Sequence, residues 1–244
     1  MFGEIRNTHG ERLDYTFHEG EKDSTRIAVL GHGVTGNKDR PFIVALAEGL
    51  AAAGIPALRV SFSGNGDSDG QFTDSTISKE VDDLTAVLDA LGSYTVCYVG
   101  HSMGGAVGVR CASGDSRIKL LVSLAGMVHT KTFAETEFGD VTPDGGFMWD
   151  EPDCPLSQAY MDDLTEIETV VNDAPKISVP WLLVHGTDDD VVPIQDSYDI
   201  FDKANAPKEL IKLEGANHVF SDKFTPPMVE RVVDWIQTQF GKLD

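Results

Sequence analysis

Ser102 stands in Gly100-His101-Ser102-Met103-Gly104, a G-x-S-x-G pattern that can hold a serine on a tight strand-to-helix turn. The bare pattern arises by chance in roughly one chain of this length in ten. Its setting makes it informative. Residues 95–99 read as an apolar strand and residues 103–112 as a helix, so Ser102 falls at the junction. Small residues at 100 and 104 let the turn close, and the helix N-terminus favours negative charge on a bound oxygen. A serine hydroxyl is a poor nucleophile without a base, and that base needs an orienting acid. In a strand–helix fold of this kind the partners should follow in the order Ser, Asp or Glu, His. The acid then lies in "WLLVHGTDDDVVP", where Asp188, Asp189 and Asp190 all follow one strand-like run. The base is His218 in "LIKLEGANHVF", because of the seven histidines only His218 has both the order and a loop position after a strand. Spacing alone does not choose among the three aspartates.

Acyl chemistry also needs backbone N–H groups aimed at the developing oxyanion. Met103, next after the serine, supplies one, and Val34 in "VLGHGVTGNKDRPF" the other, with Gly31 and Gly33 allowing close approach. The rival reading of "GHGVTG" as a phosphate cradle is weak, since it lacks the Lys-Ser/Thr ending of a P-loop and a placeable acidic partner. A second rival is "FSGNGDSDGQF", where Asn65, Asp67, Asp69 and Gly70 imitate the start of an EF-hand loop. A strand rather than a helix leads into it, and the twelfth position is Thr76 rather than Glu. It reads as a flexible turn at a strand's carboxyl end, not a calcium site.

The elements that must position these residues alternate along the chain. Strands are predicted over 27–30, 57–62, 95–99, 118–124, 181–185 and 209–213, after an N-terminal hairpin of 5–7 with 13–18. Helical spacing marks 42–53, 77–91, 103–112, 192–204 and 226–240, the last with prolines tolerated at its start. This is the pattern of an α/β protein with a mostly parallel central sheet flanked by helices. From 126 to 178 no strand is legible, so residues 1–125 and 179–244 form the expected core and 126–178 a cap insertion. Its aromatics Phe133, Phe138, Phe147, Trp149 and Tyr160 are candidates to bind an aromatic or medium acyl group, or simply to pack the cap on the core.

The chain has 244 residues, with 40 Asp plus Glu against 19 Lys plus Arg and a formal charge of −21. Such a field disfavours nucleic acid and anionic lipid as partners. No 18-residue apolar run and no secretory signal are visible, and three cysteines lack metal-type spacing. Together these suggest a cytoplasmic protein, monomer or homodimer, with buried thiols at Cys97 and Cys111.

The motifs "GHGVTGNKDR", "FSGNGDSDG", "VGHSMGG", "HGTDDDVVP" and "EGANHVFSD" run in order through most of the chain. As a set they resemble the α/β-hydrolase superfamily, in particular cinnamoyl/feruloyl esterase-like and monoacylglycerol lipase-like serine hydrolases. The resemblance implies the α/β-hydrolase fold and a cofactor-free carboxylesterase acting on a small-molecule ester. It selects Asp189 as the acid, three residues after the glycine of "HG", and makes 62–70 a buttress of the site. A Cys or Asp nucleophile, used elsewhere in the superfamily, is disfavoured by Ser102. A serine aminopeptidase or acyltransferase with the same triad, or a non-catalytic ligand receptor on this fold, would carry the same motifs.

Overall fold

The computed structural model describes residues 2–243; Met1 and Asp244, the outer ends of the expected core ranges, lie outside the described residues. The expected N-terminal hairpin is split in two. β1 (Ile5–Arg6) pairs with β2 (Arg12–Leu13) as a small antiparallel ribbon, whereas β3 (Tyr15–His18) leaves it and joins the main sheet. Tyr15 pairs with Val60 and His18 with Ala57, so β3 runs antiparallel along β5 (Ala57–Val60) at one edge. The alternation that marks both halves as strands carries no information on which distant strand each one joins.

The remaining strands are β4 (Arg26–Gly31), β6 (Thr95–His101), β7 (Ile118–Leu124), β8 (Trp181–Gly186) and β9 (Lys208–Leu213). They complete a seven-stranded sheet in the order β3-β5-β4-β6-β7-β8-β9, parallel throughout except for β3. Strands such as β8, with WLLVHG buried at every position, are enclosed end to end and mostly apolar because helices cover both faces. Successive residues go to opposite sides. Ile27 and Val29 join one buried cluster, while Ala28 and Leu30 join the other. α1 (Pro41–Ala52) and α7 (Thr225–Phe240) cover the Ala28 and Leu30 face. α2 (Ile77–Leu91) and α3 (Met103–Ala112) cover the opposite face.

The segment between β7 and β8 carries α4 (Thr130–Phe138) and α5 (Gln158–Ile167), two helices the sequence reading left unassigned. Their buried residues Phe133, Phe138, Tyr160 and Leu164 belong to the same cluster as α2 and α3. α6 (Ile194–Lys203) then returns the chain to β9, whose charged Lys208, Glu209 and Lys212 suit a sheet edge.

Strand order decides where a ligand can bind. From β4 the chain first steps to β5 on one side and later returns to β6 on the other, so the sheet reverses direction between β4 and β6. Loops leaving neighbouring strands at such a switch point diverge and leave a crevice at the strands' carboxyl ends. Gly31 and Gly100 are register partners there, which sets the Gly33 loop and the Ser102 turn at the same level.

Candidate functional site

Ser102 follows the last residue of β6 and caps α3 with φ 54° and ψ −119°. A non-glycine residue in this region is strained by about 1–3 kcal/mol, and the surroundings hold it there. Ser102 N–H donates to the Leu124 carbonyl at 3.0 Å, and its own carbonyl accepts from Gly105 and Met127. A Cβ at residue 100 would lie 2.1 Å from the Gly104 oxygen, so the turn closes only with glycine. One at residue 33 would lie 2.7 Å from Ser102 Cβ, which shows how near the β4 loop passes.

Val34, in that loop, and Met103, first in α3, each present an N–H with no hydrogen-bond acceptor among the described residues. The loop is fastened from beneath by His32. Its Nδ1–H donates to the Gly33 carbonyl at 2.8 Å and its Nε2 accepts from Phe62 N–H at 3.0 Å. Burial pushes His32 down to about 4, against the opposing bond to Gly33, so the ring is neutral in this role. Phe62 begins the acidic loop, which is bound into the protein. Asn65 donates to Ser75 Oγ at 2.8 Å, Asp69 accepts from Arg12 N–H at 2.9 Å, and Ser68 donates to the Ser61 carbonyl at 2.7 Å. The chain around β2 and the Gly33 loop are thereby fastened to one another through 62–70.

Asp189, after β8, and His218, after β9, meet across the same end of the sheet with Nδ1 2.9 Å from Oδ2. The Asp189 carboxylate has no solvent exposure. Its Oδ1 accepts from Val191 and Val192 N–H at 3.0 and 2.9 Å. Burial alone would raise its pKa; the His185 and His218 imidazoles and the Val192 N–H outweigh that and hold it well below the ordinary carboxylate range. The ionised Asp189 accepts a hydrogen bond from His218 Nδ1–H, and in that tautomer of the neutral ring Nε2 carries the lone pair. His101 lies against this histidine, ring centroids 4.7 Å apart, and its Nε2–H donates to the His218 carbonyl at 2.9 Å. Burial, followed by the nearby His218, holds His101 far below its ordinary value, so it places no positive charge beside His218.

Ser102, His218 and Val34 line one cleft of about 260 Å³ at the switch point. Its walls are mainly apolar, through Val34, Phe42, Trp149, Val191 and Val219. Arg40 is its sole formally charged lining residue among the described residues, and no carboxylate faces it. Of the five aromatics singled out in the sequence, Trp149 alone reaches this cleft. Phe138 and Tyr160 are fully buried, with Trp149 packed edge-on against Phe138 at 4.9 Å. Phe133 faces a smaller cavity of about 150 Å³ that shares Val191 with the cleft, and Phe147 is exposed outside it. His32, His101, Arg40 and Val219 escaped the sequence reading. His32, His101 and Val219 could have been found, since each flanks a residue already singled out in a motif.

A serine on a strained turn and a histidine paired with a buried aspartate border one crevice at the switch point, and the mostly parallel sheet in this order, flanked by helices, is that of an α/β hydrolase. The prolyl oligopeptidase family (Peptidase_S9) matches residues 47–243, and the chain belongs to that family. Est1E from Butyrivibrio proteoclasticus, in a structure with ferulic acid bound, is 25% identical with a TM-score of 0.87, covering 98% of this chain and 99% of that one. Mouse alpha/beta hydrolase domain-containing protein 10 superposes with a TM-score of 0.80 at 20% identity, over 99% of each chain. Among curated relatives, the bovine mitochondrial palmitoyl-protein thioesterase ABHD10 is 22% identical over 83% of this chain. The chain spans 70% of that relative's length, and 66% of its human counterpart, which is 23% identical over 78% of this chain. Among the described residues no helix is long and apolar enough to cross a membrane.

Proposed function

We propose that the protein is a serine hydrolase of carboxylic esters, acting on small to medium acyl or aromatic acyl groups through a Ser102–His218–Asp189 triad. The observation that carries this reading is the convergence on one crevice of Ser102, the Asp189-bound His218 and Val34, with the unpaired Met103 N–H next to Ser102 at the start of α3. His218 Nε2 takes the proton of Ser102 Oγ as that oxygen attacks the ester carbonyl. The Val34 and Met103 N–H groups hold the tetrahedral oxyanion, and a cleft free of carboxylates does not oppose the developing charge. His218 then protonates the leaving alkoxide, giving an acyl-Ser102 ester. Water, deprotonated by His218, releases the acid and restores Ser102.

The cleft volume, just below the roughly 300–1,000 Å³ of drug-sized ligand sites, favours short or medium acyl groups. The likeness to Est1E with ferulic acid supports an aromatic acyl group; the names of the ABHD10 relatives add thioesters to the substrates worth testing. The test is hydrolysis of p-nitrophenyl esters from two to sixteen carbons, methyl ferulate and an S-acyl thioester by wild type and Ser102→Ala. Turnover should peak at short to medium acyl or feruloyl groups and fall by several orders of magnitude in the variant, with the fold intact. Equal rates in the two proteins would remove Ser102 from the mechanism. The family match favours a second reading, hydrolysis of amides on the same triad. Aminoacyl p-nitroanilides turned over faster than all esters would establish it.

A further inference from the structure

His185 is the residue before the glycine of "HG", and the triad reading leaves it without a task. It is fully buried at the end of β8. Its Nε2 lies 2.9 Å from the Val192 carbonyl and 3.1 Å from Asp189 Oδ2. Both neighbours are acceptors, so Nε2 carries the proton. Nδ1 lies 2.7 Å from Ser197 Oγ on α6, and in the neutral ring it accepts the serine's hydroxyl proton. Ser197 is itself buried. The tautomer follows from the partners alone.

This ring closes a circuit around the acid. Val192 N–H holds Asp189 Oδ1, His185 N–H holds the Val192 carbonyl, and the same N–H stands beside Oδ2, the oxygen that His218 uses. We propose that His185 is a positioning residue for the Asp189–His218 pair: pinned by Ser197, it fixes the 189–192 turn and shares Oδ2 with His218, moderating how strongly the carboxylate holds that imidazole. The proposal rests on the triad reading given above, and it deepens that reading by adding a His185–Ser197 support to the acid.

Its consequence is a set point for the base. The charged and titratable groups around the pair are Asp189, the neutral His101 against His218, Arg40 on the cleft wall, and Asp196 near His185. None of them takes over the His185 contact with Oδ2. Removing it leaves His218 as the sole side-chain donor on that oxygen, so the imidazolium is favoured and His218 should titrate at higher pH. A freer 189–192 turn should also lower the fraction of molecules in the productive geometry.

The experiment compares wild type, His185→Leu, His185→Gln and Ser197→Ala. Gln can place an amide N–H near the Nε2 position and serves as the conservative rescue. His185→Leu should lower kcat at least tenfold per fluorophosphonate-titratable site, with KM within twofold, and move the acid limb of kcat/KM upward. Gln should recover most of both effects, and Ser197→Ala should show a smaller upward move. NMR titration of the His218 ring reads the same set point without any substrate. An unmoved His218 titration in folded His185→Leu, or equal losses in Leu and Gln with an unmoved limb, would overturn the proposal. Should His185→Leu fail to fold, an unmoved titration in Ser197→Ala would do so. If wild type hydrolyses no ester or amide, the triad reading fails by itself, while the ring titration still decides whether His185 sets the Asp189–His218 pair.

Discussion

Asp188, Asp189 and Asp190 share one chemistry and differ only in what surrounds them. Asp188 and Asp190 are exposed, whereas the Asp189 carboxylate is enclosed by two backbone N–H groups and two imidazoles. Spacing does not separate adjacent residues in a turn; the family resemblance points to Asp189, and the physical difference lies in its contacts with Val192 and with His218, 29 positions away. Asp189→Asn should lower kcat by up to about 10⁴-fold, since it misorients the base and leaves an imidazolium without its counter-charge. Asp188→Asn, measured beside it in the same ester assay, should stay near wild type. His32 provides a pH prediction. Its value in the folded protein is about 4 against an ordinary 6.5, so the native state binds fewer protons than the unfolded chain between those values. The stability linked to a neutral His32 is therefore complete above pH 6.5 and is lost as pH falls toward 4, by on the order of 3 kcal/mol. Urea unfolding from pH 7.5 to 4 should show a shallower acid decline in His32→Asn than in wild type. Parallel curves would contradict this assignment.

Among the elements, the 126–178 segment is where pattern-reading reached least far. Acids and turn residues break up the helical spacing of α4, which packs chiefly on α5, while α5 in turn packs on α2. The segment's aromatics accordingly divide into two classes that composition cannot separate. Phe138 is core, and Phe138→Ala should cost about 3–5 kcal/mol of stability. Trp149 is 40% exposed, packs on Phe138 and donates to Glu137 Oε2 at 2.8 Å while facing the cleft. Trp149→Ala should leave the unfolding midpoint within a few degrees and raise KM for the best ester severalfold. If instead Phe138→Ala altered KM with no loss of stability, the division would be wrong. The N-terminal strands teach the same point: their alternation is legible, and their separation between a ribbon and a sheet edge is not.

At the scale of the whole molecule, a net charge of −21 is spread over a surface that surrounds a cleft holding no carboxylate and one arginine. Mutual repulsion among surface acids works against the folded state and is screened as the Debye length falls from about 30 Å at 0.01 M salt to 8 Å at 0.15 M. The thermal midpoint should rise as sodium chloride is added across that range. A midpoint independent of salt would mean that local ion pairs such as Arg59–Asp39 and Lys79–Glu11 already balance the repulsion.

Taken by itself, the sequence determined the α/β architecture and the chain order of Ser102, the 188–190 aspartates and His218, because period-2 and period-3.6 patterns and G-x-S-x-G are local properties of the chain. The site's position follows from the reversal of strand order between β4 and β6, a relation among segments that no window of sequence contains. Only the tertiary structure decided the surroundings of Asp189, the aromatic that reaches the cleft, and the contact of His185 with the acid. Each of these depends on which distant groups exclude water from, or donate hydrogen bonds to, a given side chain, and that is settled when the sheet brings its carboxyl ends together.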